Sequence, residues 1–129
     1  MLAKDSFEIR IAIAEDHAVF RKAIKTFLQS TPNIKIIIEA SNGQELLDQL
    51  VESRPDVILL DIEMPVMSGV QALSIIRLQY PDIKVIMLSM HNDHSLISKV
   101  MSLGACAYLS KTTELDGIGE AIFNSCNTN

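Results

Sequence analysis

The chain has 129 residues, 48% of them apolar, no tryptophan and a formal net charge of -5. One domain is the expectation at that length, no apolar run approaches the roughly 18 residues a membrane span needs, and an acidic chain without a Lys/Arg cluster offers no electrostatic footprint for DNA or RNA. The opening M-L-A-K-D-S-F lacks the apolar core and cleavage site of a secretory signal, and Cys106 and Cys126 fit no metal or C-x-x-C spacing, so two unpaired thiols in a reducing cytoplasm are expected.

Residues 8–14, E-I-R-I-A-I-A, alternate Ile9, Ile11 and Ile13 with smaller or polar neighbours, the period of a strand, and Glu15 and Asp16 close it. From His17 to Ser30, Phe20, Ala23, Ile24, Phe27 and Leu28 recur at helical spacing, with Arg21, Lys22, Lys25 and Gln29 on the opposite face and Pro32 beyond the end. A second strand over 34–40 leads to Asn42, which with Glu45 three residues on resembles a capping box. Leu46, Leu47, Leu50 and Val51 are then the expected buried stripe of a second helix.

The stretch 54–69, R-P-D-V-I-L-L-D-I-E-M-P-V-M-S-G, organises the rest. Val57 to Leu60 is an unbroken apolar run, as a strand buried on both faces reads, and Asp61 follows it directly. Glu63, Pro65 and Gly69 then stop the strand and turn the chain. Ser68 with Gln71 predicts a second capping box, starting a helix through Val70, Leu73 and Ile76 that Pro81 ends. Val85 to Leu88 is a second apolar run, ending on Ser89. A helix from about Asn92, with Leu96, Ile97, Val100 and Met101, closes at Gly104. Cys106 to Leu109 makes a short fifth strand ending near Lys111, and Thr113 is placed to cap a last helix carrying Leu115, Ile118 and Ile122.

Five strand-helix pairs in strict alternation predict an α/β fold, an open, doubly wound parallel sheet with five helices on its two faces. The second and fifth strands look least buried, which favours the flavodoxin-like order 2-1-3-4-5, with the crevice between strands one and three. In that order Glu15 and Asp16 come beside Asp61, and three carboxylates so close must raise their pKa values or collect a cation. A hard divalent ion such as Mg²⁺ suits such oxygen ligands. Ser89 and Lys111 reach the same edge from strands four and five. A hydroxyl, an ammonium and an ion around one carboxylate are the set phosphoryl transfer requires, with Asp61 as nucleophile.

E-D-H after strand one, D-I-E-M-P-V-M-S-G after strand three, L-S-M-H at strand four and A-Y-L-S-K at strand five together resemble the CheY-like receiver domain of two-component response regulators, over about residues 7–125. Residues 1–6 then read as a tail and 126–129 as the start of a linker or a terminal tail. The resemblance implies that Asp61 is the phosphoacceptor, that Asp16, Asp61 and the backbone carbonyl of Glu63 bind Mg²⁺, and that Glu15 acts through the ion's water shell. It also implies that Lys111 pairs with the phosphoryl group while Ser89 turns toward it and Tyr108 moves inward as the switch. The implied donor is a phosphohistidine on a sensor histidine kinase or a phosphotransfer protein. The implied output face, which such domains use for homodimers or output contacts, is the helix after strand four, strand five and the last helix. The wording is most similar to LuxR/NarL-type receivers, which precede a helix-turn-helix domain. The chain is therefore read as either the receiver fragment of a longer transcription regulator or a stand-alone receiver, the fragment being favoured, without direct DNA binding or membrane contact of its own.

Glu15 stands where Asp is frequent and Ser89 where Thr is frequent, and both keep the chemistry. Glu63 is placed to influence the water that hydrolyses the phosphoryl group. His17, His91 and His94 invite a metal reading, but a loop and a helix start are ordinary places for histidine, and no third ligand is placed. Met64, Met67, Met87, Met90 and Met101 read as core or loop packing, and Tyr108 as edge-strand packing apart from the resemblance. The rival is a phosphatase of the haloacid-dehalogenase type, whose D-x-D follows the first strand. Here D-I-E follows the third, so the chain is expected to catalyse only its own phosphoryl transfer and slow autodephosphorylation. A degenerate docking module would need a lost site residue, and none is lost.

Overall fold

A computed structural model describes residues 7–90 and 93–127. The elements run β1 (Ile9–Ala14), α1 (Ala18–Gln29), β2 (Ile34–Ala40), α2 (Gly43–Leu50), β3 (Val57–Asp61), α3 (Gly69–Gln79), β4 (Lys84–Ser89), α4 (His94–Ser102), β5 (Ala107–Ser110) and α5 (Leu115–Asn127). The sheet is wholly parallel in the order β2-β1-β3-β4-β5, as expected.

Side chains that alternate along each central strand feed two separate cores. Ile9, Ile11 and Ile13 of β1, Val57 and Leu59 of β3, and Ile86 and Leu88 of β4 pack with Ile24 and Leu28 of α1 and Ile118 and Ile122 of α5. Their alternates Ala12, Ala14, Ile58, Leu60, Val85 and Met87 pack with Leu46 and Leu50 of α2, Leu73 and Ile76 of α3, and Val100 of α4. Each large apolar side chain so buried contributes about 1.5–3 kcal/mol. That is why β3, covered on both faces, reads as an unbroken apolar run and holds the end of Asp61 so firmly.

The helix starts follow their caps. Ser68 Oγ accepts from Gln71 N at 3.2 Å and Gln71 Oε1 accepts from Ser68 N at 3.0 Å, the full reciprocal box. The Asn42 box is only half of one: Asn42 Oδ1 accepts from Glu45 N, but the Glu45 carboxylate reaches past it to the backbone and hydroxyl of Ser41. Thr113 is not the cap of α5, because the first helical hydrogen bonds are accepted by the Glu114 carbonyl. Gly104 closes α4 with φ +110, its N–H donating to the Met101 carbonyl, a left-handed end that suits glycine.

Three positions expected on apolar helix faces meet solvent instead, Ala23 of α1 among them. Val51 is exposed because α2 ends at Leu50 and leaves it at the cap, and Met101 turns outward while Val100 alone of its helix is fully buried. Of the methionines Met87 is core, Met64 and Met67 pack against it from the loop, and Met90 is exposed. Cys106 is a free thiol on the surface. His91 and the expected helix start at Asn92 lie outside the described residues, as do residues 1–6 and 128–129 and the side chains of Cys126 and Asn127, while the backbone at 126–127 continues α5 where a tail was expected to begin.

Candidate functional site

The carboxyl ends of β1, β3, β4 and β5 meet at one edge of the sheet. Ala14 of β1 pairs with Leu60 of β3, which places Glu15 and Asp16 alongside Asp61. Asp61 pairs with Leu88 of β4, so Ser89 is the next residue along, and Ser89 in turn pairs with Ser110, ahead of Lys111. The backbone locks this register beyond the strands: Ile62 N donates to Leu88 O at 3.0 Å and Lys111 N to Ser89 O at 2.8 Å.

Glu15 is fully buried, Asp61 is 3% exposed and Ser89 2%. Burying two carboxylates costs several kcal/mol unless charge and hydrogen bonds compensate. Lys111 supplies the charge, its Nζ 3.0 Å from Glu15 Oε2 and 3.1 Å from Asp61 Oδ2. Its ammonium also lies over the Phe20 ring, 5.3 Å from the centroid. Compensation stays incomplete. Glu15 Oε1 and Asp16 Oδ1 are buried without a hydrogen-bond partner, and Asp61 Oδ2 has only the ion pair to Lys111.

This imbalance shifts the protonation of two of the site's groups. Burial pushes Asp61 up first and the neighbouring Glu15 charge adds to it, while Lys111 pulls back, leaving its carboxyl at about 7. For Lys111 burial acts downward, but Glu15 and Asp61 together outweigh it and hold the ammonium above its ordinary value.

One oxygen each from Glu15, Asp16 and Asp61 and one ring nitrogen of His17 all lie within 4.8 Å of one another. Three carboxylates with orphaned, inward atoms are a donor set that fits a hard divalent cation. Glu63 is exposed beside this group, its backbone N–H 3.4 Å from Asp61 Oδ1. Tyr108 is half-buried on β5, packed against the core under α4. The rest of the loop is set by two glycines. A Cβ on Gly69 would meet the Asp61 carbonyl oxygen at 1.9 Å, so only glycine lets α3 start where its N–H can donate to Ile62 O. Gly43 N likewise donates to Met67 O at 3.0 Å, tying α2 to the same loop.

Two residues enter the site that the sequence left aside. His17, expected to be an ordinary loop histidine, turns its ring to Glu15 and Lys111 at 3.2 Å each. Arg21 donates from its guanidinium to the Glu15 carbonyl. The signal for both was position: His17 directly follows the two acids, and Arg21 follows one helical turn later. His94 starts α4 on the surface, outside the acidic group. A cavity of about 660 Å³ between Arg54, Tyr80 and Lys84 lies by the amino ends of β1 and β4, away from all of these groups.

The family model described as the response regulator receiver domain matches residues 11–123. The chain belongs to the response regulator receiver family. This receiver is 36% identical over 115 residues to the transcriptional regulatory protein DegU of Brevibacillus brevis, an alignment covering 89% of the chain and 49% of DegU. It is 38% identical over 114 residues to the transcriptional regulatory protein LiaR of Bacillus subtilis, 88% of the chain and 54% of LiaR. The receiver thus spans about half the length of these curated relatives. Among solved structures it is similar to the signal receiver domain of the response regulator NarL from Mycobacterium tuberculosis, with a TM-score of 0.90, 25% identity and coverage of 95% and 99% of the two chains. A LuxR-family DNA-binding response regulator from Staphylococcus aureus superposes with a TM-score of 0.86 at 28% identity, covering 93% and 99%.

Proposed function

We propose that this receiver takes a phosphoryl group from a phosphohistidine onto Asp61 and relays the change to an output through β4, β5 and α4. The observation that carries the reading is the buried, undercompensated acid group itself, with Glu15 Oε1 and Asp16 Oδ1 unpartnered and Lys111 shared between Glu15 and Asp61. Glu15, Asp16, Asp61 and the carbonyl of Glu63 would hold Mg²⁺, which when bound supplies positive charge against the phosphoryl oxygens. Asp61 is the nucleophile: its carboxylate oxygen forms the new bond to phosphorus as the bond from phosphorus to the donor imidazole nitrogen breaks. Lys111, fixed at the end of β5, moves from pairing with the free carboxylate to pairing with the phosphoryl oxygens.

The output follows from what the new group draws in. Its added charge and acceptor oxygens attract the Ser89 hydroxyl, and the space behind Ser89 opens to Tyr108, which pairs with Met87, two residues before Ser89 on the same strand. The face built by α4, β5 and α5 then differs between two states and serves a homodimer or an output contact. Because the relatives named are transcriptional regulators of which this chain spans about half, the output proposed is transcription through a DNA-binding domain, in the cytoplasm, with a sensor histidine kinase or phosphotransfer protein as donor. Hydrolysis of the phosphoryl group is slow self-catalysis rather than turnover of an outside ester.

The test is intact mass after incubation with acetyl phosphate and Mg²⁺. One phosphoryl adduct per chain, absent from Asp61→Asn, supports the reading. Continuous phosphate release from a general phosphoester supports a phosphatase, and no adduct on the wild type supports a docking module.

A further inference from the structure

His17 is the member of the acidic group to which the phosphoryl transfer above gives no part. It occupies the N-cap of α1, yet its side chain makes no capping hydrogen bond. The ring turns to the acids instead, with Nδ1 3.2 Å from Glu15 Oε2, 3.8 Å from Asp16 Oδ1 and 3.2 Å from Lys111 Nζ. That nitrogen cannot satisfy its neighbours in either tautomer. With the proton on Nδ1 it donates to Glu15 but points an N–H at an ammonium; with the proton on Nε2 it accepts from Lys111 but sets a lone pair against a carboxylate oxygen.

Glu15 shows the complementary defect. Its Oε2 already receives the His17 backbone N–H at 2.9 Å and Lys111 at 3.0 Å, whereas Oε1, in a fully buried residue, receives nothing. A cation among these atoms resolves both faults, since it takes the Nδ1 lone pair and an orphaned carboxylate oxygen together. The ring is 66% exposed, so it stands at the solvent side of the group, where an ion enters.

We propose that His17 is itself a metal ligand, its Nδ1 completing a set with Glu15, Asp16 and Asp61, and that this nitrogen widens the site's preference toward ions that accept imidazole. The inference rests on reading the pocket as a divalent-ion site. Mg²⁺ favours oxygen donors and keeps its waters, so an imidazole adds little to its affinity. Co²⁺, Zn²⁺ and, less strongly, Mn²⁺ gain from nitrogen. The sequence carries only the adjacency of E-D-H; the orientation of the ring distinguishes a ligand from a surface histidine.

The experiment is calorimetric titration of the unphosphorylated chain with Mg²⁺ and with Co²⁺, for wild type, His17→Ala and Asp61→Asn, together with pulsed electron paramagnetic resonance of the Mn²⁺ forms. The proposal expects His17→Ala to weaken Co²⁺ roughly 10-fold or more and Mg²⁺ by less than about 2-fold. It also expects a histidine nitrogen coupling to Mn²⁺ that the variant loses. Unchanged Co²⁺ affinity overturns it, and so does equal weakening of both ions, which would make His17 a positioning group for Glu15. An ion that binds wild type and Asp61→Asn equally would overturn the pocket reading, and this inference with it.

Discussion

Lys111 Nζ stands 3.1 Å from Asp61 Oδ2, an ion pair that joins the end of β5 to the end of β3 with both side chains at 5% exposure or less. The same ammonium serves Glu15, so one cation is divided between two buried acids. Lys111→Met keeps the stem and removes the charge. It leaves both carboxylates uncompensated, and we expect a loss of about 2–4 kcal/mol of stability at neutral pH without divalent ions. Urea unfolding of the two proteins measures it, and a loss within 0.5 kcal/mol or so would show that the pair is solvated.

The raised carboxyl of Asp61 gives a pH dependence of known sign. Its folded-state value of about 7 lies above the unfolded value near 3.8, so the folded protein keeps a proton that the unfolded chain releases. Stability from this group therefore falls as pH rises from about 4 to about 7 and is level above that. Asp61→Asn removes the slope. The variant should be more stable than wild type by ~2 kcal/mol or more above pH 7 and equal to it below pH 4. Mg²⁺ should stabilise the wild type in the upper range and leave the variant unmoved. Urea midpoints across the pH range, with and without Mg²⁺, check both statements.

Gly69 is the steric keystone of the loop. Because a Cβ there would lie 1.9 Å from the Asp61 carbonyl oxygen, Gly69→Ala forces either Asp61 or the first turn of α3 to move. We expect at least ~2 kcal/mol of destabilisation and a phosphoryl adduct much reduced in the fraction that remains folded. Thermal unfolding and intact mass read the two effects separately.

Val66 sits 81% exposed with φ +67, inside a tight turn closed by Met67 N donating to Pro65 O at 2.6 Å. A β-branched residue is strained in that conformation. Val66→Gly or Val66→Asn should raise stability by about 1 kcal/mol while leaving Asp61 able to accept the phosphoryl group. A destabilised glycine variant would mean that the turn is not held as described.

Glu63, exposed two residues beyond Asp61, is expected to act on hydrolysis rather than on acceptance. Glu63→Ala should change the lifetime of the phosphorylated chain and leave adduct formation intact. Decay of the adduct mass over time decides it, and an unaltered lifetime removes Glu63 from that role.

Much of this was legible before the structure because strand ends are legible. Apolar runs that stop on Asp61 and Ser89, and an alternating strand that stops on Glu15 and Asp16, put their polar residues on one sheet edge once the strand order is known. Lys111 followed from the short strand before it. What the sequence did not carry were choices made by side chains with several partners in reach. Asn42 and Glu45 have the spacing of a box, yet Ser41 competes for the carboxylate and wins it. Val51 belongs to the apolar stripe by spacing, but the helix ends one residue too soon to bury it. His17 reads as a loop residue until its ring direction is seen, and no periodicity reports the direction of a single ring.

The most direct test is to find which side chain carries phosphorus. The chain is phosphorylated with acetyl phosphate and Mg²⁺, reduced with borohydride so that an acyl phosphate becomes an alcohol, and sequenced by tandem mass spectrometry. Homoserine at position 61 alone is the predicted result. Reduction at Glu15, Asp16 or Glu63 instead, or none at 61 in a chain that bears the adduct, would contradict the account.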